Sequence, residues 1–197
     1  MQIEAIVPLD KRRSKVLTDE DFAFVLYRGE VKRYGIEEGK ELTAADYDRV
    51  LREVLFKRAR ERSLYLLKAR DRTEQEIRQK LKDGYYPEEA IEHTMAFLKE
   101  YRFVDDEKYG RNYIRIYGGR KSRKQLEFEL RNRGLDREEI GLLLEEGDID
   151  EAEQILRYLR KKGYEKDVTP PKECARLAAA LGRKGFSFDE IRRVMEE

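Results

Sequence analysis

Residues 122–140 read SRKQLEFELRNRGLDREEI and hold an apolar frame: Leu126, then Leu130 four residues on, then Ile140 ten beyond that. Side chains four apart share a helix face, while Gly134 followed by Asp136 marks the end of one helix and the start of another. The frame occurs twice more. Ile77, Leu81 and Ile91 stand 49 residues earlier, and Leu177, Leu181 and Ile191 stand 51 residues later. Three copies at a near-constant interval of this size point to a helical repeat architecture, in which stacked units bury faces that a single unit leaves exposed.

Each unit is expected to contain a first helix (around residues 57–69, 107–117 and 151–162), a second carrying the four-spaced pair, and a short third opening just before the later isoleucine. The start signals agree. Thr73 with Glu76 and Ser122 with Gln125 have the spacing of capping boxes, and Thr169 before Pro170 reads as a cap with a first-turn proline. Asp136 with Glu139 and Ser187 with Glu190 open third helices, beyond the Gly134 or Gly185 that ends the second. In the first unit Gly84 sits one residue early, so that helix is expected to stop sooner.

Ahead of the repeats, QIEAIV (2–7) and FAFVLY (22–27) alternate as strands do, with Phe22, Phe24 and Leu26 on one face and Ala23, Val25 and Tyr27 on the other. A hairpin or three short strands is expected. RGEVKRYGIEEGKEL (28–42) reads as a Gly-punctuated connector to a helix opening at Thr43 with Asp46. The expected fold is mainly α: three tandem three-helix repeats forming an elongated curved solenoid after a small β-hairpin extension. The expected boundaries are 1–42 for the extension, 43–106 for the first repeat with a lead-in helix, and 107–149 and 150–197 for the second and third.

The 197 residues are 40% hydrophobic with a mean hydropathy of −0.87, which leaves little apolar material for a thick core. Charged residues make up 43%, but 43 basic side chains nearly cancel 42 acidic ones, so only charge placement can indicate a partner. Residues 108–133 carry nine basic and two acidic side chains, and 134–151 carry one and eight; residues 57–82 carry ten and four, and 83–107 two and eight. Each repeat is therefore basic on its first two helices and acidic on its third. A single cysteine, Cys174, rules out an internal disulfide and fits a reducing compartment. No run approaches the ~20 apolar residues of a membrane span, and the amino terminus lacks the apolar core of a signal peptide. A cytoplasmic monomer without membrane association is expected.

On the helix of Leu126 and Leu130, Lys124, Phe128 and Arg131 fall at i, i+4 and i+7 on the side away from the core pair. Gln79 and Ala179 occupy the Phe128 position in the sister repeats, so the middle unit is specialised. Lys108, Arg111 and Arg115 form a similar row on the preceding helix. A basic groove containing an aromatic suits a phosphate backbone or an acidic protein surface. The competing reading is a solvated face laced with ion pairs, with Phe128 buried against a neighbouring unit, the commoner fate of a phenylalanine. The candidate partner-binding set is Arg111, Arg115, Arg120, Lys121, Arg123, Lys124, Phe128, Arg131, Arg157, Arg160 and Lys161.

Signals for catalysis are missing. His93 is the only histidine, so neither a histidine metal site nor a histidine-assisted nucleophile can be assembled; it reads as a helix-surface residue. Cys174 reads as a small packing residue. Tyr109, Tyr113 and Tyr117, four apart, read as core rather than as a stacking platform. Asp105 and Asp106 read as a helix cap, and GGRKS at 118–122 lacks the ending of a phosphate-binding loop. No enzymatic activity, cofactor or metal is expected.

The run SLYLLKARDRTEQEIRQKLKDGYYPEEAIEHTMAFLKEYRFVDDEKYGRNYIR (63–115) resembles the RecX family of recombinase regulators. Its hallmarks are an Arg-rich helix, here ending at Arg72-Thr73, then Glu76-Ile77 with Lys80-Leu81, then the junction Val104-Asp105-Asp106-Glu107-Lys108-Tyr109. RKSRKQLEFELRNRGLDREEI and ARLAAALGRKGFSFDEI continue the pattern through the second and third units. Glu20-Asp21-Phe22-Ala23-Phe24 is similar to an extension found in some members. Where members often have Gly-Pro before the second unit's middle helix, this chain has Arg120-Lys121-Ser122, so contacts of that loop do not transfer from relatives. The resemblance implies a non-enzymatic modulator that binds RecA on DNA, lies in the groove of its filament, and limits assembly, ATP turnover, strand exchange and repressor cleavage. Some relatives also bind DNA themselves, so a stand-alone DNA-binding helical protein is the alternative.

Overall fold

In the computed structural model, which describes residues 1–20 and 23–196, all nine residues of the apolar frame are buried, none more than 3% exposed. The chain forms two compact units, Met1–Asp105 and Asp106–Glu197.

The first unit opens with an antiparallel sheet of β1 (Ile3–Pro8), β2 (Arg13–Thr18) and β3 (Ala23–Tyr27) in that order, one strand more than a hairpin. Phe24 and Leu26 join the core with Ile3 and Val16; the face assigned to Phe22 lies outside the described residues. Residues 28–42 do more than connect. After α1 (Arg28–Arg33) the chain returns along β1, where Ile3 donates to the Lys40 carbonyl at 2.9 Å and Gly39 to that of Ile3 at 2.8 Å. The Glu38 carboxylate accepts the Ile6 N–H at 2.7 Å. Part of the outer edge of β1, which would otherwise offer unpaired groups to another strand, is thereby covered.

Thr43 caps α2 (Ala44–Val50) by accepting from the Asp46 N–H. A π-helical turn, Leu51–Leu55, carries the helix on into α3 (Phe56–Ala69), followed by α4 (Glu74–Lys82) and α5 (Glu88–Glu100). One core joins the sheet to these helices: Val16 and Phe24 meet Leu55, Ala59, Ile77 and Ile91.

The second unit contains α6 (Asp106–Tyr117), α7 (Arg123–Asn132), α8 (Arg137–Glu146), α9 (Glu151–Lys161), α10 (Pro171–Arg183) and α11 (Phe188–Glu196). Leu126, Leu130 and Ile140 pack with Ile114 and Leu143, while Leu177, Leu181 and Ile191 pack with Ile155 and Leu159 in a separate cluster. α6 and α8 approach closely at Gly110, where a Cβ would stand 2.5 Å from a Leu143 methyl. Polar groups clasp the two groups of helices. The Ser122 hydroxyl donates to the Lys184 carbonyl at 2.7 Å, Gln154 Nε2 to that of Gly118 at 2.8 Å, and the Arg123 N–H to the Glu151 carboxylate at 2.8 Å. Ser122 also accepts from the Gln125 N–H as the cap of α7. Ser122 is fully buried, and Ser122→Ala removes both bonds, so a loss of about 1–2 kcal/mol is expected in urea unfolding.

Thr73 and Ser122 form the expected capping boxes. One start signal needs correction. Thr169 does not cap α10: Pro170 is the cap residue and Pro171 the first helical one, while the Thr169 hydroxyl accepts from the Glu165 N–H. Pro171 has no N–H to satisfy, so a capping side chain has less to do there. At the end of α4, the left-handed residue is Tyr85 (φ 59) rather than Gly84. It stands four residues after Leu81, as Gly134 (φ 92) follows Leu130 and Gly185 (φ 91) follows Leu181. The turn is the same in all three: Tyr86, Leu135 and Phe186 each donate back to the carbonyl of that leucine, five residues earlier. α4 does end one residue sooner relative to the frame, at Lys82 where α7 reaches Asn132.

Candidate partner-binding surface

Because Leu126 and Leu130 point into the core, helical geometry turns Lys124, Phe128 and Arg131 outward. All three are exposed. Phe128 is 56% accessible, which corrects the expectation that it is buried: the core pair fills the inner face of α7, and Phe128 lies opposite it. Neither Lys124 nor Arg131 makes an ion pair among the described residues, whereas the cations of α4 are engaged. Arg78 meets Glu74, Glu88 and Glu92, Lys80 lies 3.7 Å from Asp83, and Lys82 lies 3.4 Å from Glu88. At the positions of Lys124, Phe128 and Arg131, α4 carries Gln75, Gln79 and Lys82, and α10 carries Ala175, Ala179 and Gly182. Only the middle of the three helices combines uncompensated cations with an exposed ring there.

Of the remaining candidates, Arg120, Arg160 and Lys161 are exposed and form no ion pair among the described residues. Arg115 is exposed and donates to the Asn112 side chain at 3.3 Å. Arg111 is shared between Glu107 at 2.5 Å and Glu146 at 3.4 Å. Arg157 lies 3.8 Å from Glu153 and donates to the Gly119 carbonyl at 3.4 Å. Two of the set face inward. Arg123 donates to the Leu144 carbonyl at 2.6 Å, closing the C-terminal end of α8, where helix carbonyls lack partners. Lys121 meets Glu129 at 2.5 Å and lies 4.3 Å from the centre of the Tyr117 ring.

This last contact belongs to a ladder that gives the three tyrosines a mixed role. Tyr113 is buried and bonds Glu129 through its hydroxyl, while half-buried Tyr109 stacks on it at 6.2 Å and half-buried Tyr117 lies tilted against it at 4.5 Å. The Arg133 guanidinium lies 4.7 Å from the Tyr113 ring and donates to the Tyr109 hydroxyl at 3.0 Å. Cations on ring faces gain most where water is excluded. Burial works to raise the Glu129 carboxyl, but hydrogen bonds from Lys121 and Tyr113 outweigh it and hold the group below its ordinary value of 4.5. A carboxyl lowered on folding stabilises the protein above its unfolded value, and that contribution is lost as the pH falls through the folded value. Acidification below pH 4.5 is therefore expected to lower the melting temperature more steeply in wild type than in Glu129→Gln, whose side chain cannot titrate.

Elsewhere, exposed His93 stacks on Phe56 at 4.0 Å, and half-buried Cys174 directs its sulfur to the Thr169 carbonyl at 3.3 Å. Among the described residues no helix is long and apolar enough to cross a membrane, and no group of His, Cys, Asp and Glu is placed to hold a metal.

The helix groups match described domains. Residues 59–98 match the RecX first three-helix domain and residues 149–195 the third. Both matches are to domains of RecX proteins. It is 29% identical to the regulatory protein RecX of Caldanaerobacter subterraneus subsp. tengcongensis over 99% of this chain and 98% of that protein. It is 28% identical to the regulatory protein RecX of Bacillus velezensis over 94% and 72%. The RecX fold is also seen in a crystal structure of a regulatory protein RecX, with a TM-score of 0.64, 23% identity and 100% and 99% coverage. For RecX from Lactobacillus salivarius the TM-score is 0.62, with 19% identity and 72% and 95% coverage. The Caldanaerobacter and Bacillus relatives are both named as regulatory proteins.

Proposed function

We propose that the protein regulates the RecA recombinase by binding its filament, in the helical groove, and lowering assembly, ATP turnover, strand exchange and coprotease activity. Similarity to regulatory RecX proteins over nearly the whole chain supports a regulatory role. The observation that carries the contact is the outward face of α7, where Lys124, Phe128 and Arg131 are exposed and both cations lack an internal ion pair among the described residues. Leaving cations unneutralised beside an accessible aromatic favours an external anionic surface, because a ring buried at an interface adds apolar contact to charge complementarity. Arg115, Arg120, Arg160 and Lys161 are further exposed cations of the same unit. The expected setting is the cytoplasm, where the recombinase acts on DNA.

The second reading, a stand-alone DNA-binding protein, draws on the same cations. Salt separates the two. Binding to bare single- and double-stranded DNA is expected to be weak and to fall with salt, while binding to RecA filaments on the same DNA should be tighter and less salt-dependent. Equal affinity and equal salt slopes for bare DNA and filaments would favour the second reading.

A further inference from the structure

The first unit departs from the repeat pattern at two adjacent positions, and both departures open onto one cavity. Where the other repeats place Gly134 and Gly185 in the left-handed turn, this repeat places Tyr85, although a bulky residue there is strained. Where the others bury Leu135 and Phe186, it has Tyr86, only half-buried. Gly84 makes room for that ring, since a Cβ there would lie 3.0 Å from it. The cavity beside these tyrosines, about 600 Å³, is also lined by Tyr27 from β3 and by Arg13, Arg58, Arg62 and Lys80. Its size falls in the range of small-molecule sites, about 300–1,000 Å³. Burial raises the Tyr86 phenol, while the guanidinium groups of Arg58, Arg62 and Arg13, which line the same cavity, pull the other way. The Tyr86 hydroxyl itself makes no hydrogen bond among the described residues.

The cations are not equally available. Arg13 is held by Asp10 at 2.7 Å, and Arg58 by Glu30 and by the face of Tyr27, 4.5 Å away. Arg62 has no carboxylate partner among the described residues, and Lys80 has only Asp83 at 3.7 Å. Tyr27 and Tyr85 are 43% and 38% exposed, and Lys15 lies 4.2 Å from the centre of the Tyr85 ring. Partly exposed aromatic side chains beside Arg62, which has no carboxylate partner among the described residues, and Lys80, held only by Asp83 at 3.7 Å, are what a base and its phosphate require. Glu61 and Asp83 in the same lining oppose a run of carboxylates, yet can accept hydrogen bonds from the amino groups of a base. An acidic peptide is thus disfavoured.

We propose that this cavity binds a nucleoside phosphate, with the base against Tyr27 and Tyr85 and the phosphate against Arg62 and Lys80. The ligand is either a free nucleotide or one residue of a single strand, and the site does not depend on the α7 reading. Calorimetry on the full chain with deoxyadenosine monophosphate, a short oligodeoxythymidylate, inorganic phosphate and a glutamate peptide tests it. Saturable binding of the nucleotide or the oligomer is expected, about tenfold or more tighter than phosphate or peptide. Comparable affinity for the two marks a free nucleotide as the ligand, and binding of the oligomer alone marks a strand. Arg62→Glu should weaken binding about tenfold or more at unchanged melting temperature. Tyr85→Gly should weaken it while holding or raising the melting temperature, because glycine relieves the left-handed turn. No saturable binding, binding that both variants leave intact, or equal affinity for the peptide would overturn the proposal. So would a Tyr85→Gly protein that melts earlier and still binds, which would make Tyr85 a structural strap under Lys15.

Discussion

Leu130→Ala is expected to lower the stability of the second unit by about 2–5 kcal/mol, the range for truncating a buried leucine in a core that cannot fully collapse. Leu130 is fully buried and packs with Leu126, Ile140 and Leu143. Its carbonyl also accepts from Leu135 in the turn that ends α7, so loosening this residue loosens the turn. Phe128→Ala, two residues away on the same helix, is the contrast. With its ring largely in water, it should shift stability by no more than about 0.5 kcal/mol. Urea unfolding of both variants checks the pair, and a larger loss for Phe128→Ala would mean that the outward face of α7 is a packing surface.

Reversing Lys124 and Arg131 to glutamate should leave folding within about 0.5 kcal/mol of wild type, since both are exposed and neither forms an ion pair among the described residues. Its effect on partner binding should be large. Two cations facing an acidic surface become two like charges in contact with it, a change that costs several kcal/mol at an interface. Co-sedimentation with RecA filaments is therefore expected to show affinity about a hundredfold weaker or more. The same reversal at Arg111, already shared between Glu107 and Glu146, should affect filament binding less. Equal losses at the two places would point to a general dependence on net charge.

Much of the fold was legible because its signals are local or periodic. Ile77, Leu126 and Leu177 could be aligned by spacing alone, and Thr73 and Ser122 carry their capping partners three residues on. What escaped depends on groups distant in sequence or on exceptions to residue preference. Residues 28–42 read as a connector because nothing within them reveals that Gly39 and Lys40 bond back to Ile3. Nothing in the sequence marks Tyr85 as the left-handed residue, because glycine is the usual occupant of such a turn. At the surface, sequence placed the Lys124 row on the outward face of its helix but could not sort free cations from committed ones. Lys121 turns inward because Glu129 and the Tyr113 hydroxyl, brought to it by the packing of α6 on α7, offer partners that its neighbours in sequence do not.

Regulation through filament contact is tested most directly by the ATPase of RecA on single-stranded DNA, titrated with wild-type protein and with the Lys124→Glu, Arg131→Glu double variant. Wild type should suppress turnover well below one molecule per RecA subunit, because blocking a few positions along a filament affects many subunits. The double variant, with an unchanged melting temperature, should need far higher concentrations. Suppression only at stoichiometric amounts, or full suppression by the double variant, would contradict the account.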